Sequence, residues 1–131
     1  MSERKRYNIN GKFDIIFEPD NPEYVKRLCA SLTTLDELQG TIDAVCGKET
    51  DHQKIHEVSS TCEAKMREII DAILGAGCCQ TLYGGTVVWA LSDRRPLWAN
   101  LMLSLFEQLT VPADRRTKGV LKKYKRKRVK K

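Results

Sequence analysis

Two long apolar seams constrain this chain more than any other feature. Apolar residues recur at Val25, Leu28, Leu32, Leu35, Leu38, Ile42 and Val45, and again at Ile55, Val58, Cys62, Met66, Ile69 and Ile73. Steps of three and four place each series on one side of an α-helix, close to a coiled-coil stripe. Asn21-Pro22-Glu23 opens the first helix with a capping side chain, a proline at the first helical position and an acid in the first turn. Gly47 is a C-terminal stop, and a second helix runs from about Glu49 to Leu74. Two seams of similar length joined by a short Gly47-Lys48 link predict a long antiparallel helical hairpin. Thr33-Thr34-Leu35-Asp36-Glu37 reads as an internal cap, so a bend is expected there.

The flanks fill in the rest. Tyr7-Asn8-Ile9, the turn dipeptide Asn10-Gly11 and the strand-like Phe13-Asp14-Ile15-Ile16-Phe17-Glu18 predict a β-hairpin over 7–18, with Phe13, Ile15 and Phe17 on one face. Such a hairpin is marginal alone and must lie on the helices. Gly75-Ala76-Gly77 ends the second helix, and Cys78 to Tyr83 is a buried turn of helix. Thr86 to Leu91 is ambiguous between strand and helix. A last core helix is expected from Asp93 to Leu109, with Leu97, Leu101, Leu105, Phe106 and Leu109 on one face, broken by Val111-Pro112. The fold class is mainly α: a small helical bundle built on the long hairpin, with the N-terminal β-hairpin as its only sheet. Residues 1–111 form the domain and 112–131 a basic tail.

With 131 residues, 41% hydrophobic and 31% charged, one domain with a real core is expected. No apolar run approaches the roughly 18 to 20 residues of a membrane-spanning helix, and no secretion signal opens the sequence. A soluble protein of the cytoplasm, with no membrane partner, is the expectation. The net charge of +6 is split: residues 114–131 carry +10 and residues 1–113 carry −4. The bases are Arg115, Arg116, Lys118, Lys122, Lys123, Lys125, Arg126, Lys127, Arg128, Lys130 and Lys131, interrupted by few apolar residues. That composition predicts a detached helix or a disordered tail, whose removal leaves the body intact.

Candidate chemistry is sparse. His52 and His56 stand at i, i+4, the spacing for a shared metal, but Gln53 occupies the position of the metalloprotease glutamate and no third ligand is indicated. Five cysteines (Cys29, Cys46, Cys62, Cys78, Cys79) with no C-x-x-C pair argue against a disulfide framework and a zinc ribbon. The vicinal Cys78-Cys79 lacks a basic neighbour to activate it. The glycines at 75, 77, 84 and 85 match no phosphate-cradling loop, and no nucleophile elbow is present. No catalytic residue, metal or cofactor is expected, so the chain reads as a non-enzyme.

Ile9-Asn10-Gly11-Lys12-Phe13 at the hairpin, Ile69-Ile70-Asp71-Ala72-Ile73-Leu74-Gly75-Ala76-Gly77, then Leu82-Tyr83-Gly84-Gly85 and the Arg115-Arg116 to Lys131 tail occur in an order that resembles tail assembly chaperones of long-tailed phages and prophages of Gram-positive bacteria. Gly75-Ala76-Gly77 and Cys78-Cys79 depart from the acidic and polar residues of that pattern. The resemblance implies a non-enzymatic protein of the bacterial host cytoplasm that binds the tape measure protein and assists the tail tube protein to assemble around it. Amphipathic faces suit such a partner helix, and the near-heptad seams would also support a homo-oligomer. Tyr83, Trp89, Trp98 and Phe106 are the candidate partner-binding residues because tryptophan and tyrosine dominate interface hot spots; core packing is the competing reading for each. A second class of function is nucleic-acid binding through the basic tail, not favoured because only Tyr124 offers a stacking ring. A phage-encoded inhibitor or adaptor is a third.

Overall fold

The computed structural model describes residues 5–9, 11–92 and 94–126. Asn10, Asp93, Lys127, Arg128, Lys130 and Lys131, which carry expectations above, lie outside them. The chain is mainly helical, in the order β1 (Lys5–Ile9), β2 (Phe13–Phe17), α1 (Pro22–Lys48), α2 (His52–Leu74), α3 (Cys78–Tyr83), β3 (Leu91–Ser92), β4 (Arg95–Pro96), α4 (Leu97–Phe106) and α5 (Arg115–Arg126).

Helix α1 starts as its sequence dictates: the Asn21 side chain accepts a hydrogen bond from the Glu23 N–H at 3.0 Å, with Pro22 at the first helical position. It then runs unbroken through the expected bend. Thr33 and Thr34 hydroxyls both donate to the Ala30 carbonyl inside the helix, so neither caps a new one. Asp51 caps α2 through the Gln53 N–H at 3.0 Å. The two helices pack closely and antiparallel, Arg27 facing Ile73 at one end and Leu38 facing Val58 at the other.

The core lies on one side of this pair. Leu28, Leu32, Leu35 and Ile42 of α1 meet Met66 and Ile70 of α2, and Trp98, Met102 and Leu105 of α4 close over them. The buried line of α2 is thus Cys62, Met66, Ile70 and Ile73; Ile69 sits at its edge, half-exposed. In α4 Trp98, Met102 and Leu105 are fully buried; the expected face of Leu97, Leu101, Leu105, Phe106 and Leu109 held Leu105 but left out Trp98 and Met102.

The β1–β2 hairpin pairs Ile9 with Phe13, leaving residues 10–12 between the strands, one more than a two-residue turn. Gly11 takes a positive φ of 70° there, and the Lys12 N–H closes on the Ile9 carbonyl at 2.9 Å. Ile15 and Phe17 face the core, and Phe13 packs half-buried beside Gly75. It is not the only sheet. Leu91–Ser92 pairs with Arg95–Pro96 across a turn in which Arg94 has φ 68°. The ambiguous 86–91 run is neither strand nor helix as far as Ala90, being bends and turns, and only Leu91 joins the ladder. Helix α4 is delayed to Leu97, since the bond before Pro96 disfavours helix at Arg95.

The basic tail is not detached from the body. Over Arg115–Arg126 it is helix α5, docked on α1 and α4. Asp114 accepts the Thr117 N–H at 2.8 Å and caps it, and that bond holds the Asp114 carboxyl below its usual range. Thr117 and Tyr124 are buried, with Val120 and Leu121 packed half-buried between them. The Tyr124 ring stacks edge-on against Trp98 at 5.0 Å, and its hydroxyl donates to Asp36 at 2.7 Å. Ion pairs Arg116–Glu37 and Lys123–Asp36 fasten the flank. The eleven bases concealed an amphipathic stripe at i, i+3, i+4 and i+7.

Candidate functional site

The α1–α2 pair buries one side and leaves the other open. Two hollows lie in line along that open seam, both lined by α1 and α2 alone. The first, about 310 Å³, is lined by Arg27, Ala30, Ser31, Ile69, Ala72 and Ile73. The second, about 370 Å³, is lined by Leu38, Thr41, Glu57, Val58, Thr61, Cys62 and Lys65. Positions 27, 31, 38 and 41 of α1 and 58, 62, 65, 69 and 73 of α2 follow the helical repeat, so both hollows belong to one groove. From Val58 to Ile73 it extends about 22 Å at about 1.5 Å per residue. Leu38, Val58 and Ile69 form a half-buried apolar floor, and Arg27, Glu57 and Lys65 are exposed along the rims. Each seam has a wider apolar arc than its partner helix covers, which is why the floor stays accessible.

A third hollow, about 410 Å³, lies on another side of α2 and is lined by His56, Ser59, Ser60, Glu63, Ala64, Arg67, Val87 and Trp89. Glu63 and Arg67 build its wall. The Glu63 carboxylate accepts the Val88 N–H at 2.9 Å and the Arg67 guanidinium at 2.7 Å, while Arg67 also donates to the Gly84 and Thr86 carbonyls. This strap pins the 84–90 segment to α2. Among the described residues, the Trp89 indole N–H finds no acceptor.

The four aromatic candidates do not converge. Trp98 is fully buried, its indole N–H donating to Gln39 Oε1 at 3.0 Å, so it belongs to the core and not to a surface. Tyr83 ends α3, Phe106 ends α4 and Trp89 lines the third hollow; all three are half-buried against the core. The groove residues Leu38, Val58 and Ile69 were visible in the sequence as seam positions, but periodicity alone assigned them to the interior.

His52 and His56 are both exposed on α2, and among the described residues no group of three metal-ligating side chains forms. Cys78 and Cys79 are buried at the start of α3, where the Cys79 N–H donates to Asp71 at 3.0 Å. Burial, and then the Asp71 carboxylate, push the Cys78 thiol up to about 11 and Cys79 to about 12, from 9.0. Burial also raises the Tyr83 and Tyr124 phenols. Both thiols are therefore held neutral, the reverse of a nucleophile's requirement.

Two results are expected. Native labelling at pH 8 modifies Cys46, the one exposed cysteine, quickly, and the buried Cys78 and Cys79 only on unfolding. The melting temperature falls above pH 9: the unfolded chain then releases thiol protons that the folded chain retains, so stability is lost as pH rises towards 11 to 12. Fast labelling of Cys78 or Cys79, or a flat alkaline profile, would contradict this placement.

No helix of the described residues is long and apolar enough to cross a membrane. No family model, characterised protein or solved structure matches the chain.

Proposed function

We propose that this protein is a non-enzymatic binding module that holds an amphipathic helix of a partner in the α1–α2 groove. The observation that carries the reading is the groove itself: an apolar floor of Leu38, Val58, Ile69 and Ile73 along about 22 Å, long enough for four turns of a partner helix, with charges of both signs at its rim. Helix-in-groove recognition uses such a surface. The setting comes from the sequence resemblance to tail assembly chaperones. In it, the partner is the long helical tape measure protein, kept soluble in the host cytoplasm until tail tube protein assembles around it.

Ala30 and Ala72 are exposed and line the groove at one end. Replacing both with arginine blocks it without touching the core, and arginine is a good helix former. Co-expressed with the tape measure protein of the same tail gene cluster, the wild type is expected to keep that protein soluble and to co-purify with it. Ala30→Arg/Ala72→Arg, folded by circular dichroism, is expected to capture at least tenfold less, the scale of one hot-spot loss. Equal capture by the blocked variant would remove the groove from the account. No capture by the wild type would remove the chaperone reading.

A further inference from the structure

We propose that the outward face of α5 is a docking surface for the phosphate backbone of double-stranded nucleic acid. Arg115, Lys118, Lys122 and Lys125 are exposed and follow one another at steps of 3, 4 and 3. At about 100° per residue they fall within about 80° of arc, in a stripe about 15 Å long. Among the described residues, none of the four makes an ion pair or a side-chain hydrogen bond. No acid shares the stripe, and Gly119 beside it leaves open space above the backbone. Arg116 and Lys123 instead turn to Glu37 and Asp36 on α1. Of the seven bases of the helix, Arg116 and Lys123 fasten it to the body, and Arg115, Lys118, Lys122 and Lys125 are left for a partner.

The packing of α5 identifies that partner's chemistry. Its apolar side, Val120, Leu121 and Tyr124, is committed to the body, so no face remains to enter a lipid surface as an amphipathic membrane helix does. Tyr124, the one aromatic ring of the segment, is buried on Trp98 and cannot stack on an unpaired base. What remains is a row of cations, three of them lysines acting as point charges without directed bidentate geometry. Such a row suits the densest regular array of anions, a duplex with about one charge per 1.7 Å of axis. The sequence beyond α5 adds the charge of Lys127, Arg128, Lys130 and Lys131, while the −4 of residues 1–113 turns the rest of the body away from the polyanion. Binding is to phosphates only, and so is independent of base sequence.

The test is a titration of full-length protein against a fluorescein-labelled 20-base-pair duplex, at several salt concentrations between about 50 and 200 mM. The wild type is expected to bind with a steep log–log salt dependence, and two duplexes of unrelated sequence to bind alike. Changing Arg115, Lys118, Lys122 and Lys125 together to glutamine is expected to reduce the slope by about 3 to 4, since each phosphate contact contributes about 0.9. Lys118→Gln/Lys122→Gln is expected to reduce it by about 2, and serves if the fourfold variant melts early. The control Arg116→Gln/Lys123→Gln removes two charges that already have partners and is expected to change the slope by less than about 1. An unchanged slope in the outward-face variants, or the same loss in the control, would overturn the proposal. So would tighter binding to polyglutamate or to phosphatidylglycerol vesicles than to duplex at equal salt. None of these outcomes depends on capture of the tape measure protein.

Discussion

Replacing Tyr124 with alanine is expected to destabilise the fold by about 3 to 5 kcal/mol, the range for removing a large buried aromatic side chain. Its ring is only 2% exposed and lies edge-on against Trp98, which is itself fully buried. Removing it opens a cavity beside the indole and takes the phenol donor from the Asp36 carboxylate, leaving Lys123 as its partner. Tyr124→Phe separates the two effects: the ring stays, and only a hydrogen bond to a charged acceptor, about 1.5 to 3 kcal/mol, is lost. Deleting residues 114–131 removes the whole inward face of α5, with Thr117, Val120 and Leu121 as well. For a chain of this size that is expected to lower the melting temperature by roughly 10 to 20 °C. A deletion variant that melts like the wild type would show that the segment is the detached tail its composition suggests. The ion pairs Arg116–Glu37 and Lys123–Asp36 contribute little in comparison, since exposed pairs are worth about 0 to 1 kcal/mol each.

The second large effect distinguishes core from groove. Leu32 is 1% exposed on the buried side of α1, and Ile69 is half-exposed on the groove floor. Leu32→Asp places a charge where no water or cation reaches it, and is expected to cost several kcal/mol and to leave little folded protein. Ile69→Asp keeps its carboxylate at the edge of solvent. Its expected cost is about 1 kcal/mol, the ordinary size for a point substitution, while binding in the groove is abolished. Chemical denaturation of both variants checks the difference. Equal destabilisation would mean that the α2 seam is buried through Ile69 and that the groove is closed.

Much of this fold is legible in the sequence because its signals are local. Asn21-Pro22 and the seams specify α1 and α2, and the alternation through Phe13, Ile15 and Phe17 specifies the hairpin. What escapes is what tertiary packing decides. Thr33 and Thr34 satisfy their hydroxyls within α1, so a cap-like string becomes mid-helix. Ile69 and Ile70 both suit the α2 stripe, and only the position of α4 selects Ile70 for the interior. Trp98 looks like an interface anchor until Gln39, 59 residues away, is seen to accept its N–H. In the segment from Arg115, eleven bases dominate the composition, while Thr117, Val120, Leu121 and Tyr124 recur at helical spacing and supply the buried face. The same spacing, read for Arg115, Lys118, Lys122 and Lys125, gives the outward stripe. The groove was partly legible, since seams this wide leave Leu38, Val58 and Ile69 beyond the reach of a single neighbouring helix.

The most direct test of the binding account is amide hydrogen exchange on the full chain, alone and with a soluble helical fragment of the tape measure protein in excess. Added protection is expected along both walls of the groove, over residues 27–41 and 57–73, with α4 and the β1–β2 hairpin unchanged. Protection confined to α5 or to the 84–90 segment, or none at all, would contradict it.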